Sequence, residues 1–353
     1  MTWDPTDLRT AVQAALDGFV ADQGRRLAPL GPDAQALVDA AHEAVRGGKR
    51  LRASFCWWGY RAISAEVPDE ASLVRAAAAL ELLHASALVH DDYMDASDTR
   101  RGRPAAHAMF GARHRGLGWS GSPEQYGAAA AILLGDLLLS WSDELLRCSG
   151  LPDDRVREAL GIYDLTRSEV IAGQFLDVSV QARGESDVEL AMKVLRYKSA
   201  KYSIERPLHV GATLAGAGDD ARAALTAFGL PLGEAFQLRD DLLGVFGDPA
   251  VTGKPAGDDL TEGKRTVLVA LALAGATAEG ASRLEDGLGR PLTDAEVVDL
   301  QGVITTSGAA DDVEARIDDL TAEALAALDA AALPTEARAA LRDLADAATR
   351  RVH

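Results

Sequence analysis

The chain has 353 residues, enough to bury a deep core and enclose a pocket, as one large domain or as two. Apolar residues make up 48% and charged residues 25%, a globular balance that excludes disorder for the bulk of the chain. Lys plus Arg number 36 against 54 Asp plus Glu; the net charge of −18 repels phosphate backbones and excludes general nucleic-acid binding, although divalent cations and a few focused basic side chains still permit a small anionic ligand.

In chain order, Met1-Thr2-Trp3-Asp4-Pro5 shows no basic region followed by an apolar stretch. Cations then cluster after two glycines in Gly47-Gly48-Lys49-Arg50-Leu51-Arg52. Basic residues that open a helix oppose its dipole unless an anion binds there, so Lys49 and Arg52 either face solvent or form a phosphate site. Residues 71–90 are apolar nearly all round, the pattern of a helix buried on most of its circumference. Further helices of this kind are predicted over about 125–148, 155–180 and 221–246, with amphipathic ones over 310–333 and 336–351. The breaks between them are short: Gly47-Gly48, then residues 99–104, 111–123, 216–219, 247–257 and 287–291. None resembles a linker, so the expectation is an all-α, single-domain bundle over 1–353, with a motif-bearing part at about 40–275 and the helices beyond 276 serving packing or subunit contact.

Chemistry concentrates where the first buried helix ends, in His90-Asp91-Asp92-Tyr93-Met94-Asp95. Asp91 and Asp95 are four apart, so on a helix both carboxylates stand on one face, an arrangement that a hard cation such as magnesium relieves. Arg100 and Arg101 follow, with planar forks suited to diphosphate oxygens. A second acidic pair, Asp240 and Asp241 in FQLRDDLLGVFGD, again ends an apolar helix. Beyond it a glycine-punctuated loop carries Lys254 and Lys264, placed to close over a phosphate; its spacing is not that of a Walker loop. Cys56 and Cys148 sit in apolar surroundings without metal-ligand spacing and read as buried thiols in a reducing compartment. The apolar runs 128–134 and 267–274 are too short to span a bilayer, and the ending Arg350-Arg351-Val352-His353 is no lipidation signal; a cytoplasmic protein is expected.

These clusters, in this order, resemble the trans-isoprenyl diphosphate synthase, or polyprenyl synthetase, family. The matching stretches are GGKRLR from Gly47, ELLHASALVHDDYMDASDTRRGRP from Glu81, GQFLDV from Gly173, YKSAKYSIERP from Tyr197, and Phe236 onward through GKPAGDDLTEGKRT. The resemblance implies an all-α bundle around a central cavity, usually a homodimer, that condenses isopentenyl diphosphate with an allylic diphosphate (dimethylallyl, geranyl or farnesyl). It implies three magnesium ions, held by Asp91 and Asp95 on one wall and Asp240 on the other, with Asp241 in support. By the same resemblance Arg100, Lys198, Lys254 and Lys264 grip the allylic diphosphate. Lys49, Arg52, His84 and Arg101 hold that of isopentenyl diphosphate. Ser199 and Gln237 lie near the developing positive charge, and Gln174 and Asp177 line the cavity. The sequence departs from the family pattern at Gly244, where the second acidic motif often has its last Asp; Asp248 is too far along to replace it.

One and two turns below Asp91 stand Ser86, Ala87 and Leu83, with no aromatic plug. The expected product is geranylgeranyl diphosphate, with a longer chain as an alternative. Ser86 and Ala87 are equally small if a neighbouring helix approaches closely, and His84 on an apolar helix also fits a core histidine. A class I terpene cyclase and a non-catalytic regulatory subunit are the competing functions; a cyclase has no use for a second diphosphate site.

Overall fold

The computed structural model describes residues 5–100, 102–248 and 256–350. In chain order the first ten α-helices are α1 (Pro5–Leu27), α2 (Pro32–Ala44), α3 (Leu51–Arg61), α4 (Glu70–Met94), α5 (Ala106–Gly116), α6 (Pro123–Arg147), α7 (Asp153–Arg183), α8 (Val188–Leu195), α9 (Arg206–Leu214) and α10 (Asp219–Phe246). Helices Asp258–Glu262, Val267–Gly275, Ala278–Gly287, Asp294–Thr306, Ala309–Ala330 and Thr335–Thr349 follow. Among the described residues the extended structure is one small ribbon, in which β1 (Thr99–Arg100) pairs antiparallel with β2 (Arg103–Pro104).

α4 is the central rod. Asp69 caps it by accepting the Ser72 N–H at 3.1 Å, and a stretch rich in Ala and Leu carries the helix onward. Leu73, Leu80 and Leu82 are fully buried; each such side chain contributes roughly 1.5–3 kcal/mol of hydrophobic stabilisation. α4 packs chiefly on α6, and also against α1 and α3. By length and composition α4 is long and apolar enough to cross a membrane, unlike the runs 128–134 and 267–274. Yet 78% of its most apolar window is buried inside the protein, so its apolarity is that of a core helix. α10 lies on the other side of the molecule, against the helix Ala309–Ala330 and the stretch Arg196–Glu205.

That stretch joins α8 to α9 as a π-helix, its i→i+5 bonding visible where the Arg206 N–H reaches the Lys201 carbonyl. Wider winding of this kind recurs at functional sites because it turns side chains toward a point that α-geometry misses.

The structure corrects several boundaries. The first buried helix continues past His90 to Met94, so Asp91 is helical and Asp95 is its C-cap. The break predicted at 111–123 begins only after Gly116, because α5 runs through Gly111. The break at 99–104 is the β-ribbon. Cys56 is buried, and burial pushes its thiol up to about 12, whereas Cys148 caps α6 and is exposed.

Candidate active site

One cavity of about 1680 Å³ opens among α3, α4, α6, α7, the π-segment and α10. Its wall includes Asp91 on α4, Gln174 and Asp177 on α7, Lys198 and Ser199 on the π-segment, Gln237, Asp240 and Asp241 on α10, and Asp259 and Lys264 beyond it. Lys49, Arg52, His84 and Arg100 line the same cavity, as do Ser86, Ala87 and Leu83. Of the residues singled out in the sequence, Arg101 and Lys254 lie outside the described residues.

The 91/95 spacing does what helical geometry requires. Asp95 N–H bonds the Asp91 carbonyl at 2.8 Å, so the two side chains are one turn apart on one face. Asp91 Oδ1 accepts from Gln174 Nε2 at 3.0 Å and lies 3.3 Å from Lys198 Nζ, which bonds Asp177 Oδ2 at 2.5 Å. α7 and the π-segment come this close because residue 173 is Gly: a Cβ there would sit 2.5 Å from the backbone nitrogen of Lys198. The GQFLDV stretch is thus a contact point flanked by two site residues. Burial alone would raise the Asp91 carboxyl; the cations of Lys198, Lys264 and Arg100 outweigh it and hold the group below the usual range. Burial together with the Asp91 charge raises Asp95.

Lys264 Nζ stands 3.2 Å from Asp95 Oδ2, 3.4 Å from Asp259 Oδ1 and 2.5 Å from Glu262 Oε2, so one ammonium touches carboxylates from both sides of the mouth. On α10, Gln237 Nε2 donates to Asp241 Oδ1 at 2.9 Å. Burial pushes the Asp241 carboxyl up to about 8, against that hydrogen bond and with Asp259 and Asp240 adding like charge.

Arg100 is committed differently from expectation. Its guanidinium bonds Asp92 through Nε at 2.7 Å and through Nη2, and reaches Asp91 Oδ2 only at 3.9 Å. Asp92, buried one position along α4 from Asp91, is the residue that sequence spacing passed over.

Arg52, Lys49 and His84 gather elsewhere on the wall. Arg52 Nη2 donates to Ser203 Oγ at 2.7 Å, its Cζ lies 4.2 Å over the Tyr202 ring, and Tyr202 OH meets His84 Nδ1 at 3.0 Å. Buried Arg52 Nε has no hydrogen-bond partner, a donor left for an anion. Tyr202, absent from the sequence reading, organises the pair from the π-segment. The anion that complements the positive end of α3 is internal: Glu81 Oε1 accepts the Ala53 N–H at 3.1 Å and Glu81 Oε2 pairs with Arg50 at 3.3 Å. All three cations of GGKRLR line the cavity, but Arg50 is tied to Glu81, which leaves Lys49 and Arg52 as the candidates for an anionic ligand.

Ser86 Oγ donates to the Gly135 carbonyl of α6 at 2.8 Å. It is small where two helices meet and also lines the cavity; Ala87, half-buried one residue on, lines the cavity without such a tie.

The sequence pattern of the polyprenyl synthetase family matches residues 34–301. The chain belongs to the polyprenyl synthetase family. This polyprenyl synthetase is a trans-prenyltransferase with the isoprenoid-synthase fold. It is similar to a geranylfarnesyl diphosphate synthase of Aeropyrum pernix, 32% identical over 278 residues, which are 78% of this chain and 81% of that protein. It is similar to a geranylgeranyl diphosphate synthase of Mycobacterium tuberculosis, 36% identical over 237 residues, 67% of this chain and 61% of that one. Among solved structures, geranylgeranyl pyrophosphate synthase from Corynebacterium glutamicum, complexed with isoprenyl diphosphate and magnesium, superimposes with a TM-score of 0.97. That protein is 41% identical, and the match covers 99% of this chain and 100% of that chain.

Proposed function

We propose that this polyprenyl synthetase condenses isopentenyl diphosphate with an allylic diphosphate, head to tail, and releases geranylgeranyl diphosphate. One observation carries the reading: a single cavity bears carboxylates from α4 and α10 and also, from the start of α3 and from α4, the basic group Lys49, Arg52 and His84. Two diphosphates need two such places, whereas a cyclase needs one.

The residues present fit magnesium. The donor set is all carboxylate oxygen, and the Lys264 ammonium, 3.2 Å from buried Asp95 Oδ2 and 3.4 Å from Asp259 Oδ1, already holds positive charge between the two acidic walls. Asp91, Asp95 and Asp240 would hold three ions, with Asp241 in support. Bound there, magnesium supplies Lewis-acid stabilisation of a leaving diphosphate. Lys198, Lys264 and Arg100 add positive charge at the same place, so the allylic C–O bond breaks with its electron pair on oxygen. Apolar wall from α4 and α7 keeps water from the cation, and the oxygens of Ser199 and Gln237 offer their dipoles to it. The isopentenyl double bond, positioned by Lys49, Arg52 and His84, forms the new carbon–carbon bond, and a proton leaves to the departed diphosphate.

Product length rests on Leu83, Ser86 and Ala87, which leave the wall below Asp91 without an aromatic ring; each helical turn adds about 5.4 Å, close to one isoprene unit. A homodimer is supported by apolar side chains exposed on α6 and α7 outside the cavity, Leu133 and Leu165 among them. Sedimentation at the monomer mass would contradict the dimer.

The test is incubation of the purified chain with labelled isopentenyl diphosphate and dimethylallyl, geranyl or farnesyl diphosphate, with magnesium present or chelated. Magnesium-dependent label in a twenty-carbon alcohol after dephosphorylation is expected. Cyclic hydrocarbon from an allylic diphosphate alone would overturn condensation, and label confined to fifteen carbons would overturn the product assignment.

A further inference from the structure

Three residues of α7 spaced four apart, Glu169, Gly173 and Asp177, fall on one face of the helix, and that face meets the π-segment at three levels. Asp177 Oδ2 takes the Lys198 ammonium at 2.5 Å, and Gly173 admits the backbone of Lys198 beside it. At the third level Glu169 Oε1 accepts from Lys201 Nζ at 2.8 Å and from Arg206 Nη2 at 2.9 Å, while Oε2 accepts from Arg206 Nε at 2.7 Å. The Glu169 side chain is 13% exposed, too buried for solvent to screen these bonds as it does surface pairs. Glu169, Lys201 and Arg206 stand behind the cavity wall; none of the three lines it.

Lys201 and Arg206 are also the two residues whose backbones make the i→i+5 bond that closes the π-turn. In an α-helix, side chains five apart point about 140° away from each other, so one carboxylate on a neighbouring helix does not face both. Bonding from i to i+5 lays one above the other, and a single carboxylate then meets both head groups. The bridge thus belongs to the wider winding. The segment so wound carries groups that serve both substrates of the proposed reaction. Lys198 and Ser199 stand in the cavity, Lys198 beside Asp91, while Tyr202 and Ser203 hold Arg52, and Tyr202 also meets His84. A return to α-winding would rotate Lys198 relative to Tyr202, and the two could not both keep their places.

We infer that Glu169 is a positioning residue for the condensation: by bridging Lys201 and Arg206 it selects the π-winding that aims Lys198 and Ser199 at one diphosphate and sets Tyr202 and Ser203 behind the other. This rests on the proposed two-substrate reaction and adds to it a residue outside the cavity. Because Glu169 acts on both groups through one segment, its loss divides between the kinetic constants. Displaced Lys198 and Ser199 lower kcat, and displaced Arg52 and His84 raise the KM for isopentenyl diphosphate.

The test compares Glu169→Gln, Lys201→Gln and Leu16→Ala. The last opens a hole in a core cluster that includes no residue of the π-segment, so it destabilises the chain without touching that element. Assays are run at a temperature where circular dichroism shows each variant folded, and amide exchange over residues 196–206 is followed by mass spectrometry without substrate. Glu169→Gln is expected to lower kcat about tenfold or more, since misplacing a reacting group by about 1 Å costs up to about a hundredfold. It is also expected to raise the KM for isopentenyl diphosphate and to speed exchange over the segment. Lys201→Gln cuts the bridge while the Glu169–Arg206 pair keeps the buried charges balanced, so it gives a reading even where Glu169→Gln fails to fold. The same three changes, smaller in size, are expected of it. Leu16→Ala is expected to keep parent kinetic constants and parent exchange over 196–206. Parent-like constants in Lys201→Gln or in folded Glu169→Gln, or equal losses in Leu16→Ala, would overturn the inference. A parent chain that forms no elongated product would overturn the proposed function instead, while amide exchange still reports on the bridge, which distinguishes the two failures.

Discussion

Glu81 accepts the first-turn amide of α3 and pairs with buried Arg50, whose backbone is held in the left-handed region at φ 55°. Glu81→Ala leaves that buried guanidinium with only the neutral acceptors of Gln13 and the Val45 carbonyl and uncaps the helix, and should lower stability by about 3 kcal/mol in urea unfolding. An unchanged midpoint would contradict the pairing. Ala87 offers the cleaner test of product length, because Ser86 is tied to the Gly135 carbonyl and a larger residue there also disturbs the α4–α6 contact. Ala87→Phe should shift the product toward fifteen carbons, read by chromatography of the dephosphorylated alcohols; an unmoved distribution would remove Ala87 from the tunnel wall. The residues legible in the sequence were those whose chemistry repeats locally, such as Asp91 with Asp95. Asp92 and Tyr202 were not, because each acts through a partner that only folding brings near: Arg100 and Arg52 respectively.

Helical periodicity identified α4, α6, α7 and α10 and missed α5, where glycines and positive charges resemble a break. It also gave no sign that the Arg196–Glu205 stretch winds as a π-helix, since hydrogen-bond register is not written in apolar spacing. A buried polar network holds this element. Glu169 on α7 accepts from Lys201 at 2.8 Å and from Arg206 at 2.7 Å, and His209 on α9 sits between Arg206, 3.3 Å away, and Thr226 of α10, at 2.9 Å. Burial, then the Arg206 charge, push His209 down to about 4. The unfolded chain takes up that proton near 6.5, so the group's contribution is complete above that pH and is lost as the medium acidifies toward 4. Between pH 7 and 5 the loss is about 2 kcal/mol. His209→Gln should flatten this part of the pH dependence in paired urea titrations; identical slopes would show that His209 already binds its proton when folded.

At the scale of the whole molecule, the C-terminal helices do more than the packing expected of them. Arg239, next to Asp240, bonds both carboxylate oxygens of Glu314 and donates from Nε to the Thr349 carbonyl at 3.0 Å, so helices Ala309–Ala330 and Thr335–Thr349 are clamped to the second acidic cluster. Arg239→Ala should cost about 2 kcal/mol in unfolding and raise the magnesium concentration needed for half-maximal activity. Unchanged metal dependence with the stability loss would confine Arg239 to a structural role. A chain of net charge −18 attracts anions only where its cations are gathered, and Lys49, Arg52, Lys198 and Lys264 are gathered around one hollow. The all-α class and the paired acidic motifs were readable because composition and short spacing carry them; the clamp was not, because Arg239 and Glu314 are 75 residues apart. The most direct test of the account is anomalous diffraction from crystals of the chain grown with manganese and pyrophosphate. Anomalous peaks between α4 and α10, within ligand distance of Asp91, Asp95 and Asp240 and bridged by the pyrophosphate, are predicted. Pyrophosphate bound away from those carboxylates, or manganese on one wall alone, would contradict it.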